Sequence, residues 1–338
     1  MPNVGTSAGE RLCSVWRTLL SAFLLSLSTL LSGCLEAPIP PLAVGMNPWV
    51  GYDALILARE KGLYDVHEIK VVELHSSAET MRQFRNGLLD VAAITLDEAL
   101  RLADEGEDIR VVAVLDESAG ADVIMASPGI RQLSDLKGQA IAVEDSTVGS
   151  LMLKRMLQAA DLTENDIRVI NLEAVQHNSG LKLGRFAASV TYEPLAQRLR
   201  DDGYQGIFDS RQMPGEIVDV LVVRARVLKE RPAPVRTLLR GWLRAQEILV
   251  SDPVGAARVL APGVELTEME YLSVRRGLIF FDGVEVLQLM NSHPPKMAQN
   301  AERLAATLQG MGVLRDSPDW GRLLDPVPLS DVLAGSTL

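Results

Sequence analysis

From residue 42 onward, short apolar runs alternate with stretches in which apolar residues recur every three or four positions, the signature of strands laid between covering helices. Residues 42–45 read as a strand and 54–61 as the helix after it, with Asp53 as N-cap and Gly62 as C-terminal stop. Residues 69–74 form a second strand. Ser76 and Glu79 have capping-box spacing and open a helix whose Met81, Phe84 and Leu88 fall on one face. Residues 91–95, 111–115 and 123–126 are further strands, with a helix at 96–103, and this first series closes near Asp116.

A second series follows: strand 140–143, helix 151–160, strands 168–171 and 188–192, helix 195–200. It resembles the first at corresponding points, because Gly87 to Thr95 and Gly184 to Tyr192 each run from a turn glycine into a strand and a helix. The two openings also correspond, at Val50-Gly51 and Val148-Gly149. An apolar strand at 217–224 returns from the second series, and helices follow at 235–250, 254–260, 267–278 and 296–308. The expectation is an α/β protein of mostly parallel βαβ units. It has two similar lobes, two hinge crossings, and C-terminal helices packed on the first lobe. Lobe 1 would be 42–116 with 217–338, and lobe 2 would be 117–216.

The N-terminus adds a different signal. Residues 18–31 are an apolar run flanked by Arg11 and Arg17, too short to span a bilayer comfortably, and they end in Leu31-Ser32-Gly33-Cys34. That is the pattern of a bacterial lipoprotein signal: residues 1–33 removed, Cys34 lipidated, and 34–41, with Pro38, Pro40 and Pro41, serving as tether. A buried N-terminal helix with an incidental cysteine is the competing reading, and the serines within the run together with the terminal Gly-Cys weigh against it. Cys13 would leave with the signal and Cys34 would carry lipid, so no disulfide forms within one mature chain. The formal net charge of −11 argues against nucleic acid and against a basic membrane-binding face.

Several segments resemble the periplasmic substrate-binding proteins of ABC importers, in the branch handling nitrate, taurine, aliphatic sulfonates and the pyrimidine precursor of thiamine. They are Asn47-Pro48-Trp49-Val50-Gly51-Tyr52, then Ala58 to Tyr64, Gly87 to Ala92, Leu133 to Gly138, and Tyr192-Glu193-Pro194. The chain departs from that family at Ala187, where an aspartate is usual; Asp90 is the first-lobe counterpart. The resemblance implies a two-lobed periplasmic-binding-protein fold. It also implies a lipid-anchored monomer on the periplasmic side of a bacterial membrane, partnered by a small-molecule ligand and a membrane permease. A membrane sensor in place of the permease is an alternative that sequence does not separate.

In parallel sheets the ligand crevice opens at the C-terminal ends of strands, so the loops there select candidate ligand-binding residues. From the first lobe these are Asn47, Trp49, Tyr52, Asp53, His75, Ser76, Thr95 and Asp97; from the second, Ser146, Thr147, Tyr192 and Glu193. Trp49 and Tyr52 suit stacking or cation–π contact, against the plainer reading that they pack their own loop. Asp53, Asp97 and Glu193 serve equally well as helix caps or solvated charges. A sulfonate or nitrate pocket wants Arg, Lys, His or free helix N-termini, whereas these loops hold His75 as sole potential cation against Asp53, Asp97, Glu144, Asp145 and Glu193. A neutral or cationic nitrogenous ligand, such as an aminopyrimidine or amine, is favoured; a small anion is the alternative.

Enzyme signatures are lacking. His67, His75, His177 and His293 have no metal spacing, and no nucleophile elbow, Walker loop or dinucleotide fingerprint occurs. Ser76, Ser146 and Ser150 read as helix caps. No catalytic residue, metal or cofactor is expected.

Overall fold

A computed structural model describes residues 16, 17, 19, 21, 39–292 and 296–335. Most of the signal run, with its cleavage site, Cys13, Cys34 and His293, lies outside the described residues. The chain divides into two units, Met1–Pro40 and Pro41–Leu338. In the first, Trp16, Arg17, Leu19 and Ser21 are helical.

That second unit is mixed α/β and holds two sheets. In the first, β1 (Leu42–Met46), β2 (Ile69–Glu73), β3 (Val91–Thr95), β4 (Ile109–Ser118), β10 (Val218–Arg224) and β11 (Leu278–Phe280) lie in the order β11-β4-β10-β3-β1-β2. In the second, β5 (Asp122–Ala126), β6 (Ala140–Val143), β7 (Arg168–Asn171), β8 (Ala188–Tyr192) and β9 (Gln205–Asp209) lie in the order β7-β6-β8-β5-β9. The central strands are apolar along their whole length because helices cover both faces; every residue of β3, β5, β6 and β8 is buried.

The sheets are less parallel than the pattern predicts. β1 pairs parallel with β2 and β3, and β6 with β7 and β8. The strands at the passages between sheets run the other way: β10 is antiparallel to β3 and β4, and β5 to β8 and β9. β9 and β11 are additions, since the apolar pattern gave a loop at the first and the end of a helix at the second. The chain passes between sheets at 118–122 and again at 209–218, where the Ser118 and Ser210 hydroxyls hydrogen-bond at 2.8 Å.

Four helices matter to the cavity described below: α1 (Asp53–Glu60), α2 (Ser77–Arg85), α3 (Leu96–Asp104) and α4 (Thr147–Ala159). Ser76 caps α2 by accepting from Glu79 N, and Ser146 caps α4 by accepting from Gly149 N, both at 3.1 Å. Two local readings are corrected. Leu88 lies past the end of α2 and is 63% exposed, so it does not share the Met81–Phe84 face. Asp53 is the first helical residue rather than a cap, and its carboxyl accepts from Tyr271 OH at 2.7 Å.

The internal likeness extends to backbone hydrogen bonds. Asp90 N donates to Ala43 O, and Ala187 N to Ala140 O, both at 2.9 Å. In the first sheet the Asp90 carboxylate adds a bond from Ala43 N at 3.1 Å, which Ala187 has no side chain to reproduce. The later helices pack beside the first sheet. The long helix 232–251 lies against α1, and Gly241 leaves room for the Tyr64 ring, which a Cβ would approach to 2.6 Å.

Candidate functional site

Between the two sheets lies a cavity of about 40 Å³. The turn after β1 delivers Asn47, Trp49 and Tyr52 to one wall; Ser77 enters from the start of α2, and Thr95 and Glu98 from the β3–α3 junction. The second sheet contributes Glu144, Ser146 and Gly149 from the turn before and into α4, Met152 from that helix, and Thr191 and Tyr192 from the end of β8. Trp49 and Tyr192 meet edge to face, with ring centres 5.9 Å apart, so aromatic surface from both sheets closes the space.

Six of the sequence-selected residues line this cavity: Asn47, Trp49, Tyr52, Thr95, Ser146 and Tyr192. The other six stand elsewhere. Asp53 bonds to Tyr271, Ser76 is consumed as a cap, and His75 is exposed with its amide bonded to Glu79. Asp97 is fully buried in the first turn of α3 without reaching the lining, and Thr147 is buried in the first turn of α4. Glu193 pairs with Arg200 and accepts from Gln197 N at 3.0 Å.

The loop-based reading passed over the acids on the passage strands. Asp219 of β10 sits opposite Thr95 of β3 on one side and Asp116 of β4 on the other, while Asp122 of β5 sits opposite Tyr192 of β8. Asp219 and Asp122 line the cavity with Glu98 and Glu144. Because β5 and β10 run antiparallel to their neighbours, the ends that reach the cavity are N-terminal ones, which a rule about C-terminal ends does not select. A legible signal did exist: a lone aspartate inside the apolar run Ile217-Val218-Asp219-Val220-Leu221 cannot be buried without a reason.

The acids differ in their partners. Tyr52 OH donates to Asp219 Oδ1, and Trp49 Nε1 donates to Asp116 Oδ1 at 3.3 Å. Ser77 Oγ donates to Glu98, whose other oxygen accepts from Thr95 N at 3.3 Å. Ala78 N donates to Glu144 Oε1 at 2.7 Å, and Ser118 Oγ accepts from Asp122 N at 3.1 Å. Asp122 Oδ2 and Thr191 Oγ1 are buried with no hydrogen-bond partner among the described residues. No Lys, Arg or His belongs to the lining. The nearby Arg275 lies over the Phe280 ring at 4.1 Å and donates to Val50 O at 3.3 Å.

Acids buried without cations hold their protons. Burial, opposed by the bonds from Asp219 and Trp49, pushes Asp116 up to about 7. Burial likewise pushes Asp122 up to about 7, with Glu193 and Glu98 adding repulsion. Glu144 is also pushed to about 7 by burial, against the bond from Ala78 N. Asp219 rises well above the ordinary value, first through burial and then through the facing Asp116 carboxylate. Such a chamber offers hydrogen-bond acceptors and latent negative charge, the complement of an amine, amidine or aminated ring. Ser77 and Ser146 have no histidine beside them in the lining; the Ser77 hydroxyl is bonded to the Glu98 carboxyl. Among the described residues no group of three or more His, Cys, Asp or Glu is arranged to hold a metal ion. No helix among them is long and apolar enough to cross a membrane.

Residues 36–261 match the model of the NMT1-like family. A Brucella abortus (strain 2308) protein carrying a provisional binding-protein name is 25% identical over 263 residues, covering 72% of this chain and 77% of its own length. Among solved structures, the ligand-binding component of an ABC-type import system from Staphylococcus aureus, with zinc bound, superposes with a TM-score of 0.72 at 12% identity. The match covers 87% of this chain and 99% of that one. The alkanesulfonate-binding protein from Xanthomonas axonopodis pv. citri, bound to MOPS, gives 0.68 at 16% identity over 87% and 99%. A desulfurization enzyme gives 0.64 at 17% identity over the same shares, so this fold carries catalysis as well as binding. The likeness establishes the two-lobed fold of periplasmic binding proteins.

Proposed function

The chain belongs to the NMT1-like family, and from that premise we propose that it is the solute-binding component of an ABC importer, capturing a small nitrogenous solute between its lobes and handing it to a membrane permease. The observation that carries the ligand class is the lining itself: Glu98, Asp122, Glu144 and Asp219 face one small cavity with no cationic side chain among them. A protonated amine or aminopyrimidine would ionise these acids and satisfy Asp122 Oδ2, where a sulfonate or nitrate would add like charge to a desolvated cluster.

Support for binding rather than catalysis comes from the same lining, which offers aromatic walls and acceptors and holds no histidine. Residues 42–116 with 217–338 would form one lobe and 117–216 the other, meeting at the two passages tied by Ser118 and Ser210. The anchor belongs to this reading too: cleavage before Cys34 and its lipidation would hold the protein outside the cytoplasmic membrane, beside its permease.

The test is a titration of the purified protein followed by tryptophan fluorescence, since Trp49 stands in the cavity wall. Aminopyrimidines and small amines should bind at micromolar level while taurine, alkanesulfonates and nitrate do not. The reverse order of affinities rejects the ligand class. Mass spectrometry of the membrane-extracted protein tests the anchor, which requires a diacylated Cys34 as first residue.

A further inference from the structure

Glu144 is placed in a way that the solute reading does not require. It follows β6 in the second sheet, is 5% exposed, and sends its carboxylate across to the first sheet's layer. There Oε1 accepts from the backbone of Ala78, the second residue of α2, at 2.7 Å. The same carboxylate is hydrogen-bonded by Ala174 N from its own side of the cavity. The start of a nine-residue helix carries unsatisfied N–H groups and the positive end of the helix dipole, which together attract oxyanions. One carboxylate is thus gripped by backbone donors from both sides, as a captured oxyanion would be, but it is covalently part of the protein. Around it stand further acids, Glu98 and Glu173, and no cation that would bind it more firmly.

We propose that Glu144 is a built-in carboxyl that sets the ligand selectivity of the cavity: seated on the first turn of α2, it denies that position to free oxyanions and links the two sheets before any solute arrives. The inference deepens the solute-binding reading and rests on it. It explains why a chain with the fold of an alkanesulfonate-binding protein presents a cavity suited to cations. A tethered carboxylate competes at a high effective concentration, so a free oxyanion at ordinary concentrations does not displace it.

Removing the carboxylate should vacate the position. Wild type, Glu144→Ala and Glu144→Gln are titrated by calorimetry with acetate, methanesulfonate and nitrate, buffered below the value of about 7 at which Asp116 and Asp122 ionise. Circular dichroism confirms folding. Glu144→Ala should bind acetate and methanesulfonate at least ~10-fold more tightly than wild type, a change worth about 1.4 kcal/mol. Glu144→Gln, whose amide still fills the space, should show no such gain. If folded Glu144→Ala gains no oxyanion affinity, or if wild type binds oxyanions equally well, the proposal is overturned. Should Glu144→Ala not fold, Glu144→Ser, which also empties the position, is titrated in its place, and a folded Glu144→Ser without the oxyanion gain overturns the proposal. Amine binding by wild type is measured separately. Amine binding without an oxyanion gain removes only the role of Glu144, and an oxyanion gain without amine binding removes only the amine reading.

Discussion

Two acidic cavities in this molecule behave in opposite ways. One is the chamber between the sheets. The other, of about 230 Å³, lies between the end of α3 and the 314–323 segment and is lined by Asp104, Glu107, Asp108, Asp316 and Asp319. In this second cavity Asp104, Glu107 and Asp108 each pair with an arginine. Asp104 is pulled up by burial but held below its ordinary value overall by Arg315 and two backbone N–H groups, and Asp108 is held down by Arg110 and Arg322. In the interlobe chamber Asp122 and Glu144 stand near 7 with no such partner. Acidity alone therefore does not mark a cation site; acidity left unneutralised in a desolvated space does.

The largest test of that contrast is Asp122→Asn against Asp108→Asn. The first should weaken amine binding by 100-fold or more, about 3 kcal/mol, because it removes a buried carboxylate facing the solute, and calorimetry measures it. The second should leave affinity unchanged. Equal losses would erase the distinction between the cavities.

Next is pH. Asp53, Asp122 and Glu144 keep their protons up to about pH 7 in the folded chain, whereas unfolded carboxyls release them near pH 4. Between those values the native state holds more protons. The associated stability is fully present below about pH 4 and is lost as pH rises through 7, at about 1.4 kcal/mol per pH unit for each titrating group. Denaturant melts of the solute-free protein should show this decline from pH 5 to 8, while amine affinity rises over the same interval. A stability that climbs with pH would mean that the paired acids, not the chamber, dominate.

A smaller effect is expected for Trp49→Phe, which keeps an aromatic wall but loses the indole N–H bonded to Asp116. Affinity should fall about 3- to 10-fold, on the order of 1 kcal/mol, and the fluorescence response should vanish. Smallest is Arg315→Gln, where an exposed arginine is lost from Asp104. Only a slight fall in melting temperature is expected, with binding untouched.

Most of the element order was legible because strands buried on both faces are written as apolar runs. Ser76 and Ser146 announced their helices through side-chain chemistry that acts within three residues. What escaped depends on long-range placement. β9 is an edge strand with little apolar content, β11 is a three-residue apolar edge strand that reads as the end of the helix before it, and Asp116, Asp122 and Asp219 acquire their character only from strands distant in sequence. Asn47, Trp49 and Tyr192 were found because a turn following a strand end is local information. Glu144 was noticed as one more acid, but its seat on Ala78 is a tertiary fact that no spacing encodes.

A carboxyl that keeps its proton in dry surroundings has a carbonyl stretch that ionised surface acids lack. The buried carboxyls of Asp122 and Asp219 should therefore give this protein an infrared band of its own. Arrival of a positively charged guest would bleach that band, reporting occupancy without dye, label or mutation.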